Sequence, residues 1–334
     1  MHLFALSVFN LLGGLFGSVV TANYLQGEAP LRQVFEFSDD TFIENLHVLP
    51  NGEILLSIMR SYDQGDLLIL DPDASAPVAK TVVTLVGSTG QTGIAPLGKG
   101  LYAVGGGVHS PFQFELGSMS IYIVLLDAET GTGTVVDTIP VPDTQMLNGM
   151  AAIPKSPHIL LSADSIGGRI WRIDTHTKTV DVAITDSALG PDDDPANFIP
   201  LGANGLRIVG DYLYFTNSAR GTFVRFKIDE EGNKTGDFET IVEMPKNVTL
   251  AGNVYDDFAV DPSGNAYISL HPWAVNKVTP DGKQTTFAGG ANSTLVKDPT
   301  SVVMANDKKS VYVATGGTTI GNQTYGGQIL QVQL

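Results

Sequence analysis

Six oxygen-bearing residues recur along the chain in equivalent settings: Glu44, Thr92, Asn148, Asn204, Asp256 and Thr300. Each heads a short apolar segment that runs into a turn: ENLHV, TGIAP, NGMAA, NGLRI, DDFAV and TSVVM. None of the six is cationic. Converging on one point, their carboxylate and carboxamide oxygens would suit a hard cation such as Ca²⁺, which takes about six to eight oxygens. Neutral amide ligands would leave that cation strongly Lewis acidic toward a bound carbonyl. The same six could instead form a hydrogen-bonded polar plug in a water-filled channel. Residue type leaves both uses open.

The elements that must bring these residues together are legible as a repeat. After each segment comes a Gly-, Pro- or Asp-bearing turn and an alternating apolar strand: LPNGEILLSIM, PLGKGLYAVGG, IPKSPHILLSADS, IVGDYLYFTNS, VDPSGNAYISL and ANDKKSVYVATGG. Turn plus alternation is the signature of a hairpin, here repeated about every 45–58 residues. A third strand follows in every copy (GDLLILDP, SIYIVLLD, GRIWRIDT, TFVRFKID, AVNKVTP, GQILQVQL) and a fourth in five of them. The missing fourth strand is supplied by RQVFEFSD, residues 32–39. This pattern predicts an all-β fold, a six-bladed β-propeller of four-stranded blades. The N-terminal strand pairs in the last blade and closes the ring, which leaves few open sheet edges. The innermost strand of each blade lines the axis, so the six polar residues are expected to form a ring at one rim. No amphipathic helix is expected beyond the N-terminus, and SALGPDDDPANFIP (187–200) reads as a surface loop.

Composition bounds the partners. The 334 residues carry 19 basic and 35 acidic side chains, a net charge of −16, and no basic cluster longer than Lys308-Lys309. That is no footprint for a phosphate backbone, so nucleic acid is excluded as a partner. Absence of cysteine excludes disulfides and thiolate chemistry. The apolar opening MHLFALSVFNLLGGLFGSVVTA, with Val20 and Ala22 placed as at a signal-peptidase site, reads as a signal peptide over 1–22, followed by one propeller domain over 23–334. Sequons at Asn233, Asn247, Asn292 and Asn322 agree with a secreted or vesicular glycoprotein. No later segment has the length of a membrane span. A monomer is expected.

The loops between second and third strands should share a face with the ring. They bring Arg60, Tyr62, His109, Phe112, Phe114, Arg220, His271, Trp273 and Tyr325 toward the entrance. This aromatic bias suits flat or greasy small molecules. The competing expectation is that many of these side chains pack on one another as loop cores.

The order Glu44, Asn148-Gly149, Asn204-Gly205, Asp256 resembles the six-bladed family of gluconolactonase and senescence marker protein (regucalcin), with diisopropyl-fluorophosphatase more distant. The resemblance implies that Glu44, Asn148, Asn204 and Asp256 hold a divalent metal. Two positions depart from it. Met146 stands where the sugar lactonases have a substrate-gripping Arg, which argues against a sugar acid, and Asp257 stands where they usually have Gly. FIENLHVLPNGEILLS, LNGMAAIP and DDFAVDPSGNAYIS are more similar to a secreted fungal branch that includes hetero-Diels–Alderases of tropolone–sesquiterpenoid biosynthesis.

That likeness implies a cycloaddition between a tropolone o-quinone methide and a humulene-type macrocycle. On this reading Asn148, Asn204 and Thr92, or a bound Ca²⁺-like cation, polarise the tropolone oxygen. Trp273, Phe112 and Tyr325 seat the rings, with Tyr62, His109, Met146 and Thr300 as further substrate contacts. Asp256 or His271 assists loss of water to form the quinone methide. No cofactor is required unless the ring holds a cation. The alternatives are a metal-dependent lactonase or esterase and a non-catalytic binding propeller.

Overall fold

The computed structural model describes residues 29–38, 40–59, 64–110, 113–127, 130–194, 196–291 and 293–334. The expected signal peptide (1–22), Arg60, Tyr62, Phe112 and the Asn292 sequon lie outside the described residues.

Six four-stranded antiparallel sheets make up the fold. Their innermost strands are Ile43–Val48, Gly90–Gly98, Leu147–Ile153, Ala203–Val209, Val254–Val260 and Pro299–Met304. Each inner strand neighbours the inner strands of the blades before and after it, and the sixth neighbours the first, so the six close around an axis. The last blade runs Pro299–Met304, Ser310–Thr315, Gln328–Gln333 and then Leu31–Glu36 from the other end of the chain. Leu31 pairs with Val332 and Glu36 with Gln328, which is the expected closure. A mostly buried Lys297 adds an ion pair to Glu36 at 3.1 Å.

Alternation along the strands sends apolar side chains between the blades. Leu147, Met150, Leu160 and Trp171 of the third blade pack on Ala95, Ala103, Ile121 and Ile123 of the second. Leu161 and Ile170 of the third pack on Leu206, Phe215 and Phe226 of the fourth. Burying one such side chain is worth about 1.5–3 kcal/mol, so each pair of blade faces acts as a core of its own.

Near the axis the strands come too close for side chains. A Cβ on Gly149 would lie 2.4 Å from the Leu206 nitrogen, and one on Gly205 would lie 2.7 Å from the Asp257 Cα. This close approach is the physical reason for the Asn-Gly pairs. In every blade the pairing of the inner strand with its neighbour also shifts register around the ring residue: between Ile43 and Asn45, Gln91 and Ile94, Leu147 and Met150, Ala203 and Leu206, Tyr255 and Phe258, and Pro299 and Ser301. A bulge frees a residue from the ladder and re-aims its side chain. The six polar residues therefore need not pair well.

The two long loops each form a small hairpin, His109–Ser110 with Gln113–Phe114 and Thr318–Ile320 with Gln323–Tyr325. Among the described residues helix is confined to a 3-10 turn, Ser187–Leu189, and the four-residue Lys246–Thr249. In segment 187–200 the described residues are exposed or half-buried, as expected of a surface loop, except Leu189 and Ile199, which anchor it in apolar clusters.

Candidate functional site

Glu44, Thr92, Asn148, Asn204, Asp256 and Thr300 are all buried, at the equivalent bulge of the six inner strands. Four of them end in a buried oxygen with no hydrogen-bond partner: Glu44 Oε2, Thr92 Oγ1, Asn148 Oδ1 and Asn204 Oδ1. An orphaned buried oxygen costs about 1–3 kcal/mol, so these four call for a partner from outside the protein, a ligand or channel water. The orientation of Asn204 is set by its neighbours. Its Nδ2 donates to Ser218 Oγ at 2.9 Å, and Ser218 donates onward to the Tyr255 carbonyl at 2.7 Å. Asn204 thus presents Oδ1 as an unpartnered acceptor, with one of its two amide N–H groups spent on Ser218. Thr300 is committed to the Ile43 carbonyl at 2.8 Å.

Asp256 is held differently. Its Oδ2 meets His271 Nε2 at 2.8 Å, and His271 Nδ1 meets Asp298 Oδ1 at 2.6 Å. All three residues are buried. Burial opposes protonation of His271, but Asp298 and Asp256 outweigh it and hold the imidazole at about 10. Burial raises Asp256, with the bond to His271 pulling the other way. Burial, with Asp256 and Asp257 nearby, pushes the Glu44 carboxyl well above its usual range.

One residue further along each inner strand lies a second layer: Asn45, Gly93, Gly149, Gly205, Asp257 and Ser301. Three glycines admit the close strand contacts, and the three polar residues bond one another. Asp257 Oδ2 accepts from Asn45 Nδ2 and from Ser301 Oγ, both at 2.9 Å, and from the Arg207 guanidinium. Asp257 is the hub that ties blades one, four, five and six beneath the ring. The sequence marked it only as a departure from glycine.

The ring suits a hard cation in donor type. Glu44, Asn148 and Asn204 each offer an unpartnered oxygen, and Asp256 has a second carboxylate oxygen besides the one on His271. Among the described residues no group of three or more His, Cys, Asp or Glu is arranged to hold a metal, so any such site is one of mixed carboxylate and amide oxygens.

The entrance residues separate into groups. Partly buried Trp273 lies in the turn after His271, where its carbonyl accepts from Gly290 N at 2.8 Å. Tyr325 is partly buried beneath Lys297, whose Nζ stands 4.5 Å from the ring centroid. His109 stacks edge-on against Phe114 at 5.4 Å. Met146 is buried in an apolar cluster with Phe114, Met119 and Trp171. Arg220 is bonded to the 187–200 segment, with Nε on the Gly190 carbonyl at 3.1 Å and Nη2 on that of Pro191 at 3.0 Å. Sequence reasoning missed Asp298, whose position before the sixth inner strand carried no motif. Sequons Asn233, Asn247 and Asn322 are at exposed positions.

No family model matches the chain. It is 24% identical over 256 residues to a Sarocladium schorii protein provisionally named a hetero-Diels–Alderase, an alignment covering 69% of this chain and 61% of that protein's length. A Phoma sp. protein with the same provisional name is 22% identical over 318 residues, 86% of each chain. Among solved structures, a luciferin-regenerating enzyme matches with a TM-score of 0.63 at 14% identity, covering 92% of this chain and 95% of that one. The calcium-binding protein regucalcin of Agrobacterium tumefaciens matches with a TM-score of 0.59 at 13% identity over the same shares. The chain thus shares the propeller fold of these solved structures and is similar in sequence to two proteins provisionally named hetero-Diels–Alderases.

Proposed function

We propose that this protein is a pericyclase that joins a tropolone o-quinone methide to a humulene-type sesquiterpene by a hetero-Diels–Alder reaction at the axial ring. One observation supports the site above all others: the partnerless buried oxygens of Glu44, Thr92, Asn148 and Asn204, in a chain whose relatives carry that name. A cycloaddition needs no nucleophile. Four π electrons of the C=C–C=O heterodiene and two of the alkene become one C–C bond, one C–O bond and one new C=C bond, and nothing leaves. Holding both partners in the reactive orientation supplies several kcal/mol of the barrier.

The ring divides the polar work by atom type. Asn204 Oδ1 accepts from the tropolone hydroxyl. The Thr92 hydroxyl, with the Glu44 carboxyl in its protonated form, donates to the heterodiene oxygen, where negative charge grows in the transition state. Trp273 and Tyr325 flank the approach of the apolar partner. A hard divalent cation on Glu44, Asn148, Asn204 and Asp256 would supply Lewis-acid polarisation of the same oxygen. The test is incubation of purified protein with a tropolone quinone-methide precursor and humulene. Adduct should form faster than in buffer and with one stereochemistry, and equal rates would end the proposal.

The fit of the ring to a cation favours a second reading, a metal-dependent lactonase or esterase. It requires that chelation with EDTA abolish turnover of lactone or aryl ester substrates and that Glu44→Gln do the same. Retained hydrolysis in either case removes it. In both readings the protein travels the secretory path, and a glycosidase-sensitive mass shift of protein from its native host checks this.

A further inference from the structure

We propose that Asp298 is a positioning residue of the axial site, holding the His271 imidazole through Nδ1 so that Nε2 is delivered to Asp256 in the ring. This rests on the reading of the ring as the reaction site. Among the described residues four other than glycine adopt a positive φ: Lys99, Lys178, Asp298 and Lys308. The three lysines are exposed turn residues, whereas Asp298 is buried. A left-handed backbone favours glycine and, after it, asparagine and aspartate, whose short polar side chains can bond locally, so the partners of a buried aspartate there show what it is placed to hold.

Asp298 N donates to the Pro272 carbonyl at 2.9 Å, and its own carbonyl accepts from Gly316 N at 2.7 Å. These two bonds, with φ at 61°, seat the residue between the His271 turn of blade five and the second strand of blade six. Its carboxylate then reaches His271 Nδ1 at 2.6 Å, while Nε2 spans 2.8 Å to Asp256. An imidazole gripped at both nitrogens has neither rotational nor tautomeric freedom. Asp298 therefore acts on the ring through His271, and fixes which Asp256 oxygen remains for a ligand. A residue supporting a site in this way commonly changes turnover about 10–100-fold on removal.

Asp298→Asn suits a left-handed backbone and keeps an acceptor, so it should fold with an unchanged circular dichroism spectrum; Asp298→Gly is the second variant. Nitrogen-15 NMR of the histidines reads positioning without activity. The wild-type His271 Nδ1 and Nε2 protons should be slow to exchange and shifted far downfield, and in both variants the Nε2 signal should move upfield or vanish. An Nε2 signal unchanged in both variants overturns the proposal. In the cycloaddition assay kcat should fall about 10-fold or more at a KM within about 2-fold, and unchanged kcat also overturns it. If the wild type shows no cycloaddition, the functional reading fails, while the NMR comparison still decides the role of Asp298.

Discussion

Replacing Asp257 by alanine should destabilise the propeller more than any change in the ring above it. Asp257 accepts from Asn45 Nδ2 and Ser301 Oγ at 2.9 Å each, from Phe258 N at 2.8 Å and from the Arg207 guanidinium. Its side chain is 2% exposed and that of Arg207 is 22% exposed. Removing one partner of a buried ion pair costs about 3–5 kcal/mol, and each orphaned buried donor about 1–3 kcal/mol. These terms share one acceptor, so they overlap rather than add. Residual hydration of Arg207 trims the ionic part. An overall loss of about 4–5 kcal/mol is expected, or a Tm lower by about 6–7 °C for a chain of this size. The assay is calorimetric unfolding, paired with urea titration to verify an unchanged m-value. The double variant Asp257→Leu, Arg207→Met should recover much of the loss, because removing both charges leaves neither one stranded. A single-variant Tm within about 2 °C of wild type, or a double variant worse than the single, would refute the hub.

Further expectations follow the same physics. Thr92→Val exchanges a buried, partnerless hydroxyl for a methyl of similar shape; Tm should hold or rise while cycloaddition slows about 10-fold or more, as for loss of one oxyanion donor. Gly149→Ala puts a Cβ 2.4 Å from the Leu206 nitrogen, so soluble yield and Tm should collapse, with a loss above about 3 kcal/mol; near-wild-type stability would contradict the close strand contact. Glu36→Gln strips the charge partner from mostly buried Lys297 and should speed hydrogen exchange in Leu31–Glu36, the strand that closes the ring; unchanged exchange there would deny the latch. His47 is lowered from 6.5 to about 4 by burial and by Arg207. The unfolded chain then binds the proton that the fold refuses, so stability falls as pH drops from about 6.5 to about 4, by about 2 kcal/mol after allowing for partial exposure. His47→Gln should lack this component in paired unfolding curves, and identical curves would count against it.

Much of the architecture was legible because its causes are local. Turn residues, two-residue alternation and a repeat length act within one blade, so six copies and a borrowed strand can be counted along the chain. The ring was legible for the same reason: Glu44, Thr92, Asn148, Asn204, Asp256 and Thr300 occupy one place in each copy. Chemistry at the entrance was less so. Met146 and Phe114 are as apolar as any ligand contact, and only packing shows that they share a cluster with Trp171. Arg220 was free to face the channel until the 187–200 loop offered it two carbonyls.

Which atoms of the ring face a ligand was left to the tertiary structure. Asn204 shows its oxygen because Ser218, itself bonded to the Tyr255 carbonyl of the next blade, claims its nitrogen. Asp256 is clasped by His271, and His271 by Asp298 from a third stretch of chain. Asp257 becomes a hub only when Asn45, Arg207 and Ser301 arrive from three other blades. A sequence determines what each residue is able to donate or accept, and where along a strand it falls. Which of those capacities is spent internally, and which is left over for chemistry, is decided where blades far apart in sequence meet at the axis, because burial makes every polar atom there find a partner or need one.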